Sequence, residues 1–157
     1  MTEPNCGISS SGSSEPVANE TLLALAWKAR ASSYSPYSRF AVGAAVLGGS
    51  GRLYSGCNVE NASYGLTICA ERVAIYSAVV AGEREIRKVA IVAENNSTLR
   101  PCGACLQVLQ EFAPRVSTAK GKRHASEHVT LILSCLEGAV ETFTLADLFP
   151  HPFVLNG

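Results

Sequence analysis

Cys69-Ala70-Glu71-Arg72, read together with Pro101-Cys102-Gly103-Ala104-Cys105, decides how the rest of the chain is arranged. The first quartet opens a run from Cys69 to Ala81 in which Val73, Ala74, Ser77, Ala78 and Val80 are compact packing residues, with Gly82 at its end. That is the pattern of a helix stopped by a glycine. The second stretch opens a run from Cys102 to Phe112, with Pro101 ahead of it and Pro114 after it. Proline is tolerated in a first helical turn because the N–H it lacks would have had no partner there. Between the two runs, Ile86 to Ala93 is apolar and β-prone, as a buried strand is. Helix, strand and helix in that order imply a sheet with helices packed on it.

The flanks extend this pattern. Upstream, Asn58 to Thr67 is polar and loop-like. Phe40 to Leu47 and Arg52 to Cys57 read as strands joined by a Gly48-Gly49-Ser50-Gly51 hairpin turn. Gly43 marks a place where another backbone comes close. Ser32 to Ser38 contains Pro36 and reads as a loop. Val17 to Ala31 carries Leu22, Leu23, Ala26, Trp27 and Arg30 at helical spacing. Residues 1–16, rich in Ser, Gly and Pro, read as a disordered tail. Downstream, Ala119 to Glu127 reads as a charged loop. Val129 to Cys135 and Val140 to Thr144 are strands around a Glu137-Gly138 turn, and Leu145 to Phe149 is a last helical turn. Residues 17–157 are therefore expected to form one domain. Its fold class is α/β, a three-layer α-β-α sandwich around a mixed sheet of about five strands.

Composition narrows the function. Lys plus Arg and Asp plus Glu are 13 each, so the net charge is zero. A protein that grips polynucleotide backbones usually has a basic excess. Lys120, Lys122 and Arg123 form the only basic cluster, and a short charged loop is usually a solvated one. No apolar run spans a membrane, and the N-terminus lacks the pattern of a secretory signal. A cytoplasmic location follows as the expectation. Six cysteines in such a chain point to metal or catalysis rather than to disulfides.

Three thiolates, from Cys69, Cys102 and Cys105, can hold Zn²⁺ and leave a fourth tetrahedral position open to water. Cys69 and Cys102 fall at helix N-termini, where backbone N–H groups and the dipole favour anions. Glu71, two residues from Cys69, diverges from it on a helix. It is therefore a poor fourth ligand and a good neighbour for the open position. There a carboxylate can move protons to and from water. Three thiolates around Zn²⁺ leave a net charge of −1, and Arg72 is the nearest cation to offset it. Other readings stay open on these residues alone. Cys102 and Cys105 could be a thiol–disulfide pair. A structural zinc could be closed by Cys57, Cys135, His124 or His128, giving a zinc-stapled binding module.

Beyond the cysteines, the chain resembles the small, homotetrameric, zinc-dependent cytidine deaminase family. The resemblance rests on Ser35-Pro36-Tyr37-Ser38, Phe40-Ala41-Val42-Gly43-Ala44-Ala45, Gly56 to Tyr64, Cys69 to Arg72, Pro101 to Gln107 and Leu148 to Phe153, in that order. It implies one Zn²⁺ per subunit and hydrolysis of cytidine and 2′-deoxycytidine to uridine and 2′-deoxyuridine. Glu71 would carry protons to the pyrimidine N3 and the departing amine. Asn58 and Glu60 would hold the ribose 3′-hydroxyl, Phe40 would border base and ribose, and the Ala70 backbone would bond the base. Tyr64 and Phe153 would reach substrate across subunit boundaries of a homotetramer with shared sites. The partner is then a free nucleoside, with no nucleic acid polymer and no membrane. Leu106 departs from the family, in which an arginine often follows the last cysteine. The neutralising work would then fall on Arg72. A deaminase acting on another substrate, such as free cytosine, a nucleoside antibiotic or a base in a polymer, is the rival reading.

Overall fold

Val42–Gly48, the first strand (β1), is buried along its whole length, as a strand covered on both faces must be. The computed structural model describes residues 17–95, 97–119 and 121–155. The tail expected at 1–16 lies outside these. β1 pairs antiparallel with β2 (Leu53–Cys57) on one side and with β3 (Ile86–Ala93) on the other. β3 then pairs in parallel with β6 (Thr130–Cys135), and β6 antiparallel with β7 (Val140–Thr144). The sheet order is β2-β1-β3-β6-β7, five strands and mixed as expected. The parallel pair requires a crossover, and α3 (Gly103–Glu111) lies on it.

Alternation along the strands divides the interior into two layers. Val42, Ala44 and Val46 of β1, Val89, Ile91 and Ala93 of β3, and Leu131 and Leu133 of β6 face α2 (Ala70–Val80) and α3. Ala45, Leu47, Ala90, Val92 and Ile132 face Leu22 and Ala26 of α1 (Asn19–Arg30) on the other side. This is the three-layer sandwich.

Two glycines set how close the helices lie. A Cβ on Gly43 would stand 2.1 Å from the Ala26 carbonyl oxygen of α1. A Cβ on Gly56 would stand 2.5 Å from the Ala74 nitrogen of α2. Gly43 is opposite Cys57 and Gly56 opposite Ala44, so the two glycines open opposite faces of the same hairpin. Gly82, with φ of +96°, follows the end of α2 as its sequence position suggested.

The stretch expected as a charged loop at Ala119 to Glu127 instead contains a strand and a turn. Arg115–Thr118 (β4) and Gly121–His124 (β5) form a separate antiparallel hairpin, followed by a short 3-10 turn at Ser126–His128. Cross-strand hydrogen bonds hold it without a buried apolar stripe, so no alternation announced it. The chain closes with β7 and α4 (Leu145–Leu148), capped reciprocally by Thr144 and Asp147.

Candidate active site

The two helix starts foreseen from sequence meet. Cys69 is the N-cap of α2 and Cys102 the N-cap of α3, both in extended conformation. Neither sulfur caps its own helix, so both remain available. Cys105 lies on the first turn of α3 and is buried. The Cys69 and Cys102 sulfurs are 4.0 Å apart, and those of Cys102 and Cys105 3.5 Å apart. All three lie within 4.8 Å of one another. Tetrahedral Zn²⁺ with Zn–S bonds of about 2.3 Å places its sulfurs about 3.8 Å apart. The residues present therefore fit the ion.

No fourth His, Cys, Asp or Glu joins this group among the described residues. Cys57, Cys135, His124 and His128, the candidates for closing a structural site, all lie outside this group. Cys57 hydrogen-bonds the Ser32 carbonyl oxygen, His124 Nδ1 is 3.2 Å from the Ala113 carbonyl oxygen, and Cys135 is buried at the end of β6.

The surroundings favour an anionic sulfur at Cys69. A hydrogen bond from Cys105, aided by Arg72, brings the Cys69 thiol down from 9.0 to about 5, against the opposing effect of burial. Cys105 is pushed up because it donates to Cys69, is buried and faces Glu71. Arg72 Nη2 lies 3.5 Å from the Cys69 sulfur and 3.4 Å from the Thr67 carbonyl oxygen. The hydrogen bond to Cys69 is also the main reason its guanidinium holds its proton more firmly than usual. Leu106, beside Cys105, is buried and brings no charge.

Glu71 is 4% exposed, on the first turn of α2. Burial pushes its carboxyl above the ordinary 4.5, with the Cys69 charge adding to the effect. A carboxyl raised in this way both holds and releases protons nearer neutral pH.

A cavity of about 480 Å³ opens beside the cluster, within the usual size range of small-molecule sites. It is lined by Phe40, Asn58, Glu60, Cys69, Ala70, Glu71 and Cys102, all foreseen from sequence, and also by Ser38, Thr67, Leu99 and Arg100. Asn58 is nearly buried. Its Oδ1 accepts from Ser33 Oγ at 2.6 Å and from the Val42 N–H at 2.9 Å. Its Nδ2 donates to the Phe40 carbonyl oxygen at 2.9 Å. One amide hydrogen is left over. Glu60 accepts from the Tyr37 and Ser38 N–H groups and from the Ser38 hydroxyl. These bonds, the hydroxyl's first, hold its carboxyl below the ordinary 4.5. A carboxylate with about four acceptor positions keeps one open.

Two foreseen residues stand apart. Tyr64 is 77% exposed and meets the Tyr37 ring edge-on at 6.2 Å. It lines an adjoining cavity that shares Ser38, Glu60 and Thr67 with the first. Phe153 is 71% exposed and does not line its own chain's cavity. The supporting roles of Ser33 and Ser38 were missed. Ser38 ends the quoted Ser35-Pro36-Tyr37-Ser38 stretch, whereas nothing local marks Ser33.

Comparison with known proteins follows the same lines. The model of the cytidine and deoxycytidylate deaminase zinc-binding region matches residues 16–120. A cytidine deaminase of Sporosarcina psychrophila is 41% identical over 134 residues, covering 85% of this chain and 90% of that one. One of Halalkalibacterium halodurans is 40% identical, covering 85% and 92%. The crystal structure of a Burkholderia pseudomallei cytidine deaminase superposes with a TM-score of 0.75 at 38% identity, covering 87% of this chain and 99% of that one. The match takes in the thiol cluster, Glu71 and the loops lining the cavity, and on it the chain belongs to the cytidine and deoxycytidylate deaminase zinc-binding family.

Proposed function

We propose that the chain is a zinc-dependent cytidine deaminase. It hydrolyses cytidine and 2′-deoxycytidine to uridine and 2′-deoxyuridine and releases ammonia. The observation that carries this reading is a buried carboxyl, Glu71, on the same cavity wall as a three-thiol cluster with no fourth protein ligand among the described residues. Zn²⁺ held by Cys69, Cys102 and Cys105, one ion per subunit, supplies Lewis acidity and a water of lowered pKa.

The chain's own residues do the rest. Glu71 accepts a proton from the attacking water and delivers it to N3 of the pyrimidine. The oxygen bonds to C4, which becomes tetrahedral. Glu71 then takes the proton left on the C4 hydroxyl and passes it to the amine; the C4–N bond breaks as the C4 carbonyl forms, and ammonia leaves. The low exposure of Glu71 keeps bulk water from competing for these protons. Arg72 steadies the anionic sulfurs. The Ala70 backbone and Phe40 border the base.

At the sugar end, Asn58 offers its spare N–H and Glu60 its spare acceptor position. A ribose 3′-hydroxyl, which both donates and accepts, suits that pair. Such a site rejects ligands lacking the hydroxyl by roughly 10⁴-fold. Free cytosine has no sugar to offer. A polymer is disfavoured by the neutral net charge and by the ion pair that Arg123 makes with Glu127 at 2.5 Å.

Residues 17–157 act as one domain and assemble as a homotetramer with shared sites. Its support is the apolar surface at Tyr64, Leu66, Val80, Phe153 and Leu155, each more than 60% exposed. Tyr64 and Phe153 belong to those boundaries. A cytoplasmic setting suits a nucleoside substrate, and among the described residues no helix is long and apolar enough to cross a membrane.

The reading is tested by chromatography of products from cytidine, deoxycytidine, cytosine, deoxycytidine monophosphate and a cytosine-containing single strand. Turnover of the two nucleosides, with equimolar ammonia, is expected. Faster turnover of cytosine, the monophosphate or the strand would replace this substrate assignment.

A further inference from the structure

Gln107 lies two residues beyond Cys105 on α3. At about 100° per residue, its side chain leaves the helix about 200° around from that thiol. One helix thus carries a sulfur of the metal cluster on one side and this carboxamide on the other. The carboxamide closes on a residue 46 positions away. Its Nε2 donates to the Phe153 carbonyl oxygen at 3.0 Å, and its Oε1 accepts from the Phe153 N–H at 3.2 Å. Both polar groups of one peptide residue are satisfied by one side chain. Glutamine alone among long side chains offers a neutral donor and acceptor side by side.

The backbone of Phe153 is held at two points while the residue stays 71% exposed and is not among those lining its own chain's cavity. A clasp that served only to tie down the chain end would gain more by burying that ring. We propose that Gln107 is a positioning residue. It fixes Phe153 so that the ring is presented to the cavity of a second copy of this chain, where it stacks on the base. The proposal rests on the reading that Phe153 works across a subunit boundary.

The zinc-loaded full chain is compared as wild type, Gln107→Ala, Gln107→Glu, Phe153→Ala and the Gln107→Ala/Phe153→Ala double variant. The readouts are kcat and KM for cytidine, Tm and zinc content. Gln107→Ala and Phe153→Ala should each raise KM by about tenfold, the size expected for losing one aromatic stack, with a smaller change in kcat. The double variant should be no worse than the worse single one, because both remove the same contact. Gln107→Glu keeps the acceptor and loses the donor, so its KM should fall between; it also serves if the alanine variant folds poorly. Zinc content should not move. If Phe153→Ala leaves KM at the wild-type value, the cross-boundary reading of Phe153 fails and takes the proposal with it. If Phe153→Ala raises KM but both Gln107 variants keep the wild-type KM, or the two effects multiply in the double variant, the proposal alone is overturned.

Discussion

Removing the Arg72 guanidinium should loosen zinc far more than removing an ordinary surface cation. Its Nη2 lies 3.5 Å from the Cys69 sulfur. Two unit charges at that separation attract by about 5 kcal/mol at an effective dielectric constant of about 20. Partial exposure and salt reduce this. A charge-assisted hydrogen bond of about 1.5–3 kcal/mol is the working figure. At about 1.4 kcal/mol per tenfold, Arg72→Ala should weaken zinc binding by roughly 10- to 150-fold. Leu106 offers no charge to compensate. Arg72→Lys keeps the charge but not the planar guanidinium whose Nη2 reaches both the Cys69 sulfur and the Thr67 carbonyl oxygen. It should recover part of the loss, and Arg72→Gln less. The assay is competition with a chromogenic chelator at fixed pH, reading the zinc concentration at half-saturation. A shift of less than twofold for Arg72→Ala would refute the reasoning. The helix N-termini at Cys69 and Cys102 would then suffice to hold the thiolate charge.

Three further outcomes are expected. Because Glu60 is held below its ordinary 4.5, chiefly by the Ser38 hydroxyl, its contribution to sugar binding and folding is complete above that value. It is lost as pH falls through the lower folded value. A KM–pH profile should therefore show its acid limb below 4.5, and Ser38→Ala should move that limb upward; an unmoved limb would contradict the assignment. Gly43→Ala drives a Cβ into the α1 backbone. With a cost of about 3 kcal/mol it should lower Tm by roughly 6–12 °C. Mixed oligomers of Glu71→Gln and Phe153→Ala chains should be more active than the two separate preparations summed. Each intact Glu71 can then be served by an intact Phe153 from a neighbour, and a simple sum would argue against shared sites.

The parts of the site that could be read from sequence are those encoded locally. Cys69 and Glu71 share one helix start, and Cys102 and Cys105 share another, so their spacing already implied metal ligation with a carboxyl alongside. The meeting of those helix starts depends on strand order. β3 lies between the helices in sequence and pairs with both β1 and β6 in space. The apolar runs of β1 and β3 implied a sheet covered on both faces, but not which helix covers which face. Gly43 and Gly56 help decide that, and only Gly43 stood out beforehand. The bond from Ser33 to Asn58 spans 25 residues and has no local signature. The β4–β5 hairpin was missed because its residues are mostly polar or charged, and strand periodicity is visible only where one face is buried. Gln107 ended a quoted motif without a role. Its partner Phe153 becomes a neighbour only once the C-terminal segment has returned to α3.

The most direct test of the central claim is the loss of cytidine absorbance with zinc-loaded wild type and zinc-loaded Glu71→Gln, each with metal content measured on the same sample. Rapid loss is expected with wild type and a decrease of about 10²–10⁴-fold in kcat for Glu71→Gln, with one zinc per chain in both. Near-normal turnover by Glu71→Gln would contradict it, because a carboxyl other than Glu71 would then be moving the protons.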